Sequence, residues 1–176
     1  WLGIPIFAVI MFAVFWISQA GPGVWIAEGY EFENGFAIPG LVNAHTHVPM
    51  TFLRGYGGGC DLQTWLNQWI FPAEAKLDER AVAACCGLGL AEMIASGVTC
   101  IGDMYMFTGT IAQQVLEAGI SANLSCGGVY FGAPEDFTPD KCNDCRNQQE
   151  LTEGWHNHNG GQIRVDASIH GEYTSN

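Results

Sequence analysis

The sequence predicts an α/β fold in which about four strands alternate with helices, the order expected of half a (β/α)8 barrel. Three observations predict it. Short apolar runs of strand character recur at residues 38–43, 98–102, 120–126 and 163–169. Between them lie segments whose apolar side chains fall at helical spacing. Those segments are bounded by residues that start and stop helices, such as Asp78 and Gly97.

Residues 38–43 read as the first strand, followed by a glycine-rich loop from Arg54 to Gly59. Apolar residues at 62, 65, 66, 69 and 70 predict a helix over 62–71. Pro72 is expected to end it, because the proline ring disfavours helical backbone at the residue before it. Asp78 is placed to cap a second helix whose stripe of Val82, Cys86, Leu90, Met93 and Ile94 runs to Gly97 at the C′ position. A short β-branched strand over 98–102 ends at Asp103. Thr110 with Gln113 predicts a capping box for a helix that stops near Gly119, and residues 120–126 supply the third strand. After a loop rich in Gly, Pro and Asp, residues 147–155 look helical and 163–169 alternate as the fourth strand. Barrel sites form at the C-terminal ends of strands. His45 and His47, Asp103, Gly127 and His170 would therefore surround one mouth.

The chemistry begins at His45-Thr46-His47. Successive side chains in an extended strand point to opposite faces, so the two imidazoles share a face and can converge on one ion. A divalent ion such as zinc takes about four ligands, about three of them from protein at catalytic sites, so this pair is half a site. Asp103 is expected to fix a loop or a neighbouring histidine, not to bind metal. His156-Asn157-His158 repeats the spacing but follows a helical pattern, where residues two apart diverge by about 200° and cannot chelate together. Cys142-Asn143-Asp144-Cys145 lacks a second pair at zinc-ribbon spacing and reads as a surface loop with two free thiols.

Residues 38–56, Ile-Pro-Gly-Leu-Val-Asn-Ala-His-Thr-His-Val-Pro-Met-Thr-Phe-Leu-Arg-Gly-Tyr, followed by Trp65-Leu-Asn-Gln-Trp-Ile-Phe-Pro-Ala-Glu-Ala-Lys-Leu77, closely resemble the amidohydrolase superfamily. Within it the chain looks most like the branch of S-adenosylhomocysteine and 5'-methylthioadenosine deaminases and chlorohydrolases. The resemblance runs from about Ala37 to Asn176. It implies the N-terminal part of a metal-dependent-hydrolase (β/α)8 TIM barrel, with His45 and His47 as metal ligands for one divalent ion, zinc by preference. It further implies that Glu74 binds substrate hydroxyls, as of a ribose, and that His170 holds the purine or an analogous ring. The remaining ligands and the proton-shuttling glutamate of the family belong to strands five, six and eight, so the catalytic residues are expected beyond Asn176. A complete barrel takes about 250 residues, and a chain of 176 that opens on Trp1 is expected to be a piece of a longer reading frame.

Two domains are expected: residues 1–36 as an N-terminal segment and 37–176 as the partial barrel. The first 18 residues carry no charge and are almost wholly apolar, long enough for a membrane helix. Pro5 and the absence of Lys or Arg before Arg54 weigh against a span. A remnant of an N-terminal β-sandwich is the other reading. A net charge of −12, from 18 acidic against 6 basic residues, argues against nucleic-acid binding. Of seven cysteines most fall in helix or strand patterns, Cys85 and Cys86 in a helix and Cys100 and Cys126 in strands, which suits a reducing, cytoplasmic compartment.

The activity implied by the resemblance is hydrolytic deamination of an adenosine-like compound, 5'-methylthioadenosine or S-adenosylhomocysteine, by a metal-activated water in the full-length parent. Guanine deamination or triazine dechlorination is the second reading, and an inactive truncated fragment the third. The expected partner is a nucleoside-like small molecule, with self-association through an exposed barrel edge left open.

Overall fold

The computed structural model describes residues 38–172 together with Thr174 and Ser175. The expectations for residues 1–36, whether β-sandwich remnant or membrane helix, lie outside the described residues. Among the described residues no helix is long and apolar enough to cross a membrane.

Four parallel strands form one sheet in the order β1 (Leu41–Thr46), β2 (Val98–Met104), β3 (Ser121–Ser125) and β4 (Ile163–Val165). Sequential strands are neighbours throughout. Parallel pairing needs a crossover between each pair, and helices supply it. A helical run, α1, joins Leu62–Thr64, Trp65–Ile70 and Phe71–Glu74. It is followed by α2 (Glu79–Ala95), α3 (Thr108–Ala118) and α4 (Asn143–Trp155).

One face of the sheet is buried under these helices. Thr99, Ile101, Asp103 and Tyr105 alternate inward along β2 and its end, and Ala122, Leu124, Ile163 and Val165 continue that face. They meet Val82, Cys86 and Leu90 of α2 and Ile111, Ala112 and Val115 of α3 in one core. A period of two on the strands against three to four on the helices is what lets a single layer of side chains interlock. The opposite face carries smaller and polar groups, including Cys100, Gly102, Asn123 and Arg164. β1 pairs only with β2 among the described residues, and its Leu41 and Val42 are more than half exposed.

Asp78 caps α2 as expected, its carboxylate accepting the Ala81 N–H at 2.8 Å, and Gly97 follows the helix at φ 87°. Gly89 lets α2 approach β1's continuation, since a Cβ there would lie 2.8 Å from Val48 Cγ1.

Several expectations are corrected. Pro72 does not end α1. Residues Trp65–Ile70 widen into a π turn in which the Phe71 N–H bonds Leu66 O five residues back, and Pro72, which has no N–H to place, sits in the next helical turn. The Thr110–Gln113 capping box is absent: α3 begins three residues earlier, with Phe107 at φ 57° in the N-cap place expected of Thr110, and Gln113 donates to Glu117. α4 starts at Asn143 instead of 147, because the Cys142 thiol accepts the Cys145 N–H at 3.4 Å and acts as its cap. Cys142 and Cys145 therefore lie at a helix start and not in an open loop. β4 is shorter than 163–169. Gly127, at φ 63°, breaks the extended course of β3, and pairing resumes only at the Gly128–Ile169 bridge. α4 also stops before His156, with Asn157 at φ 60°, so the expected helical continuation through His158 is not formed. The two imidazoles find different partners: His156 Nδ1 lies 3.1 Å from Val165 O, and the His158 ring packs on Trp155 at 5.1 Å.

Candidate metal and substrate site at the strand ends

β1 delivers His45 at its penultimate position and His47 one residue past its end, and their ring centroids lie 4.9 Å apart at 82°. His45 is exposed and His47 half-buried. The His47 Nδ1–H donates to the carbonyl of Met104, the last residue of β2. A backbone acceptor on one ring nitrogen fixes the tautomer and leaves Nε2 as the lone-pair donor, the arrangement usual for metal-binding imidazoles.

The loop after His47 is held by Asp103. Its Oδ1 accepts the Val48 N–H at 2.7 Å, while Oδ2 is buried without a hydrogen-bond partner among the described residues. Burial pushes the carboxyl up to about 7, against the smaller opposing effect of the Val48 bond. Asp103 thus fixes the loop that positions His47, as the sequence suggested.

Glu74, at the end of α1, is half-buried and accepts the Tyr105 hydroxyl on Oε1 at 2.7 Å. Desolvation raises its pKa, and the Tyr105 bond and the neighbouring His47 oppose that rise. Burial, then the Glu74 carboxylate, pushes the Tyr105 phenol upward, so it serves as a donor and not as an acid. The His170 ring lies 6.1 Å from that of His47 at 26°, and Tyr105 stands 6.1 Å from His47 as well. The Thr174 hydroxyl donates to Gly171 O and so can only accept from His170 Nδ1, at 3.0 Å. The His170 N–H bonds Gly128 O, tying the histidine to the end of β3. Burial lowers the pKa of His170, and the neighbouring His47 and His45 lower it further.

All four residues singled out in the sequence therefore gather at one end of the sheet, with His47 at the centre. A cleft of about 490 Å³ opens beside them between β1 and α2, but of these groups only His47 lines it. Tyr105 escaped the sequence reading although it follows Asp103 at strand spacing; that period of two was the available signal. The Met104 carbonyl and Thr174 left none.

The sequence model of the amidohydrolase family matches residues 36–176. The chain belongs to the amidohydrolase family. Among curated relatives, it is 41% identical over 142 residues to the 5'-deoxyadenosine deaminase of Methanosphaera stadtmanae, covering 80% of this chain and 32% of that protein. It is 39% identical over 142 residues to the 5-methylthioadenosine/S-adenosylhomocysteine deaminase of Dictyoglomus thermophilum, covering 81% of this chain and 32% of the other. A zinc-bound adenosine deaminase from Xanthomonas campestris superposes with a TM-score of 0.64 at 32% identity, covering 78% of this chain and 30% of that one. The likeness is thus to the deaminase branch that the sequence motifs indicated. This amidohydrolase chain spans about a third of the length of the curated relatives it matches.

The donor set present fits half of a divalent-metal site. Two imidazoles converge, one already oriented by a main-chain carbonyl, and no group of three or more His, Cys, Asp or Glu side chains suited to a metal occurs among the described residues. Nitrogen donors of this kind suit zinc.

Proposed function

We propose that the full-length protein is a metal-dependent aminohydrolase that removes the amino group of an adenosine-like nucleoside such as 5'-methylthioadenosine, S-adenosylhomocysteine or 5'-deoxyadenosine. In this reading His45 and His47 supply two of the ligands to one divalent ion, zinc by preference. When bound, such an ion acts as a Lewis acid that activates water for attack on the ring carbon bearing the amino group. This chain's other residues bind and orient. Glu74 accepts hydrogen bonds from ribose hydroxyls, with Tyr105 holding its carboxylate in place. His170 holds the ring beside the histidine pair, its own orientation fixed by Thr174 and by the Gly128 bridge.

The observation that carries the reading is the Tyr105–Glu74 pair set beside His47. A carboxylate that is half-buried and oriented by a phenol is suited to reading a pair of hydroxyls, which a ribosyl substrate offers and a free base does not. The names of the relatives agree with such a substrate. A reducing, cytoplasmic setting is part of the same proposal, in keeping with the cysteine usage of the sequence.

The test is turnover by the zinc-supplemented full-length protein, read as ammonia release from 5'-methylthioadenosine, 5'-deoxyadenosine and guanine and as chloride release from a chlorotriazine. The nucleosides should be deaminated, and Glu74→Gln should lower kcat/KM on them by ~10- to 150-fold, the effect of weakening hydrogen bonds to a charged acceptor. Turnover of guanine or the triazine in preference to the nucleosides would overturn the assignment.

A further inference from the structure

Seven free cysteines are distributed unevenly. Cys85, Cys86, Cys100 and Cys126 belong to the sheet and helix layers, where burial pushes their thiols up, that of Cys86 to about 12. Cys60 stands alone and exposed in the glycine-rich loop. Cys142 and Cys145 are different. They occupy the N-cap and third position of α4, both partly accessible, with the Cys142 Sγ accepting the Cys145 N–H at 3.4 Å, and the neighbouring Cys142 thiol raises the pKa of Cys145.

That placement comes near the demands of a disulfide. Residues three apart in a helical turn have Cβ atoms about 5–6 Å apart, and a disulfide needs about 3.5–4.5 Å. The difference is small, and Cys142 is an N-cap residue with extended backbone at ψ 117°, so its side chain can turn toward Cys145 while its carbonyl keeps the helical bond from the Arg146 N–H at 3.2 Å. Closure is also local. Trypsin-sensitive Lys141 and Arg146 bracket the pair, and only Asn143 and Asp144 lie between the cysteines. The same turn is anchored to the mouth of the sheet: Asp144 Oδ2 accepts the Val129 N–H at 2.9 Å, and Gln148 Oε1 accepts the Cys126 N–H at 3.0 Å.

We propose that Cys142 and Cys145 form a redox-active dithiol that closes reversibly to an intramolecular disulfide at the start of α4, with low-molecular-weight disulfides such as glutathione disulfide as oxidant. The thiolate of one cysteine attacks the external disulfide, forming a mixed disulfide and releasing one glutathione thiolate. The second cysteine loses its proton to solvent and attacks the protein sulfur of that mixed disulfide, releasing the second glutathione. Two protein thiols are oxidised and one external disulfide is reduced to two thiols.

The experiment incubates the 176-residue chain with graded mixtures of reduced and oxidised glutathione, blocks remaining thiols with N-ethylmaleimide, and reads the tryptic peptide of residues 142–146 by mass spectrometry. In oxidising mixtures the peptide should be recovered lighter by two hydrogen atoms, unalkylated and free of glutathione, and dithiothreitol should restore both alkylations. Cys60, with no neighbouring thiol, should instead retain glutathione. Cys145→Ser should trap glutathione on Cys142, which the wild-type chain releases. Recovery of wild-type 142–146 bearing stable glutathione, or fully alkylated in mixtures that modify Cys60, would overturn the proposal.

Discussion

Tyr105→Phe removes one hydroxyl from the site and leaves the ring that fills the core beneath β2. The lost interaction is a 2.7 Å hydrogen bond to a half-buried carboxylate. Bonds of this kind to a charged partner contribute about 1.5–3 kcal/mol, and partial access of water to Glu74 brings the expected loss of stability near pH 7 to about 1–2 kcal/mol. The sign of the pH dependence follows from Glu74. Its folded pKa is raised by desolvation and held back by the Tyr105 bond, so deleting the bond must raise it further. An acid with a raised folded pKa stabilises most below its unfolded pKa and loses that stability as pH rises through the folded value. Tyr105→Phe should therefore cost least near pH 3, where Glu74 with its raised pKa is protonated and the lost bond is a neutral one, and most at a pH well above the titration of Glu74. Urea denaturation at the two pH values, with the Glu74 carboxyl followed by NMR, measures both quantities. A cost that is equal at the two pH values, or a Glu74 pKa that falls in the variant, would refute the reasoning.

Asp103 offers a second pH test. Its folded pKa of about 7 stands above the ordinary 3.8, so the stability of the wild type should fall between those values, where the unfolded chain ionises while the buried carboxyl stays protonated, by up to ~4 kcal/mol. Asp103→Asn cannot ionise, and its stability relative to wild type should rise between pH 4 and pH 8; parallel urea profiles would show that burial does not penalise this carboxylate. Gly89→Ala should destabilise by ~1–3 kcal/mol, because the added Cβ meets Val48 at 2.8 Å in a packed layer. Gly87→Ala on the same helix has room, with its nearest contact 3.4 Å away at the end of the Gln114 side chain, and should stabilise by ~0.5–1 kcal/mol by helix propensity. Thermal melts of the two variants shifting in the same direction would contradict the packing assigned to α2.

Where sequence and structure agree, local and tertiary preferences coincide. Asp78, the Val82–Cys86–Leu90 stripe and Gly97 define α2 because capping, periodicity and the demand for positive φ all point to one helix. His45 and His47 were legible because strand geometry leaves two imidazoles no choice but to share a face. The departures have local causes that outweigh a one-residue rule. Pro72 is absorbed by a π turn, a shift of hydrogen-bond partner that no composition signal announces. Phe107 adopts a left-handed conformation, unusual for an aromatic residue, and so moves the start of α3 upstream. Cys142 caps α4 with sulfur, outside the usual set of capping oxygens. Glu74 could be found by motif alone, but its partner Tyr105 follows the end of β2 and becomes visible only when β2 is laid beside α1.

Zinc binding to the isolated chain tests most directly the central claim that His45 and His47 are half of a metal site. Complete structural zinc sites bind with about 10–16 kcal/mol, and half the ligands should give about half of that, a Kd near or above ~1 μM. Competition titration with a chromophoric chelator should find binding in that weak range, lost in both His45→Ala and His47→Ala. Nanomolar binding, or binding unchanged in His47→Ala, would contradict the claim.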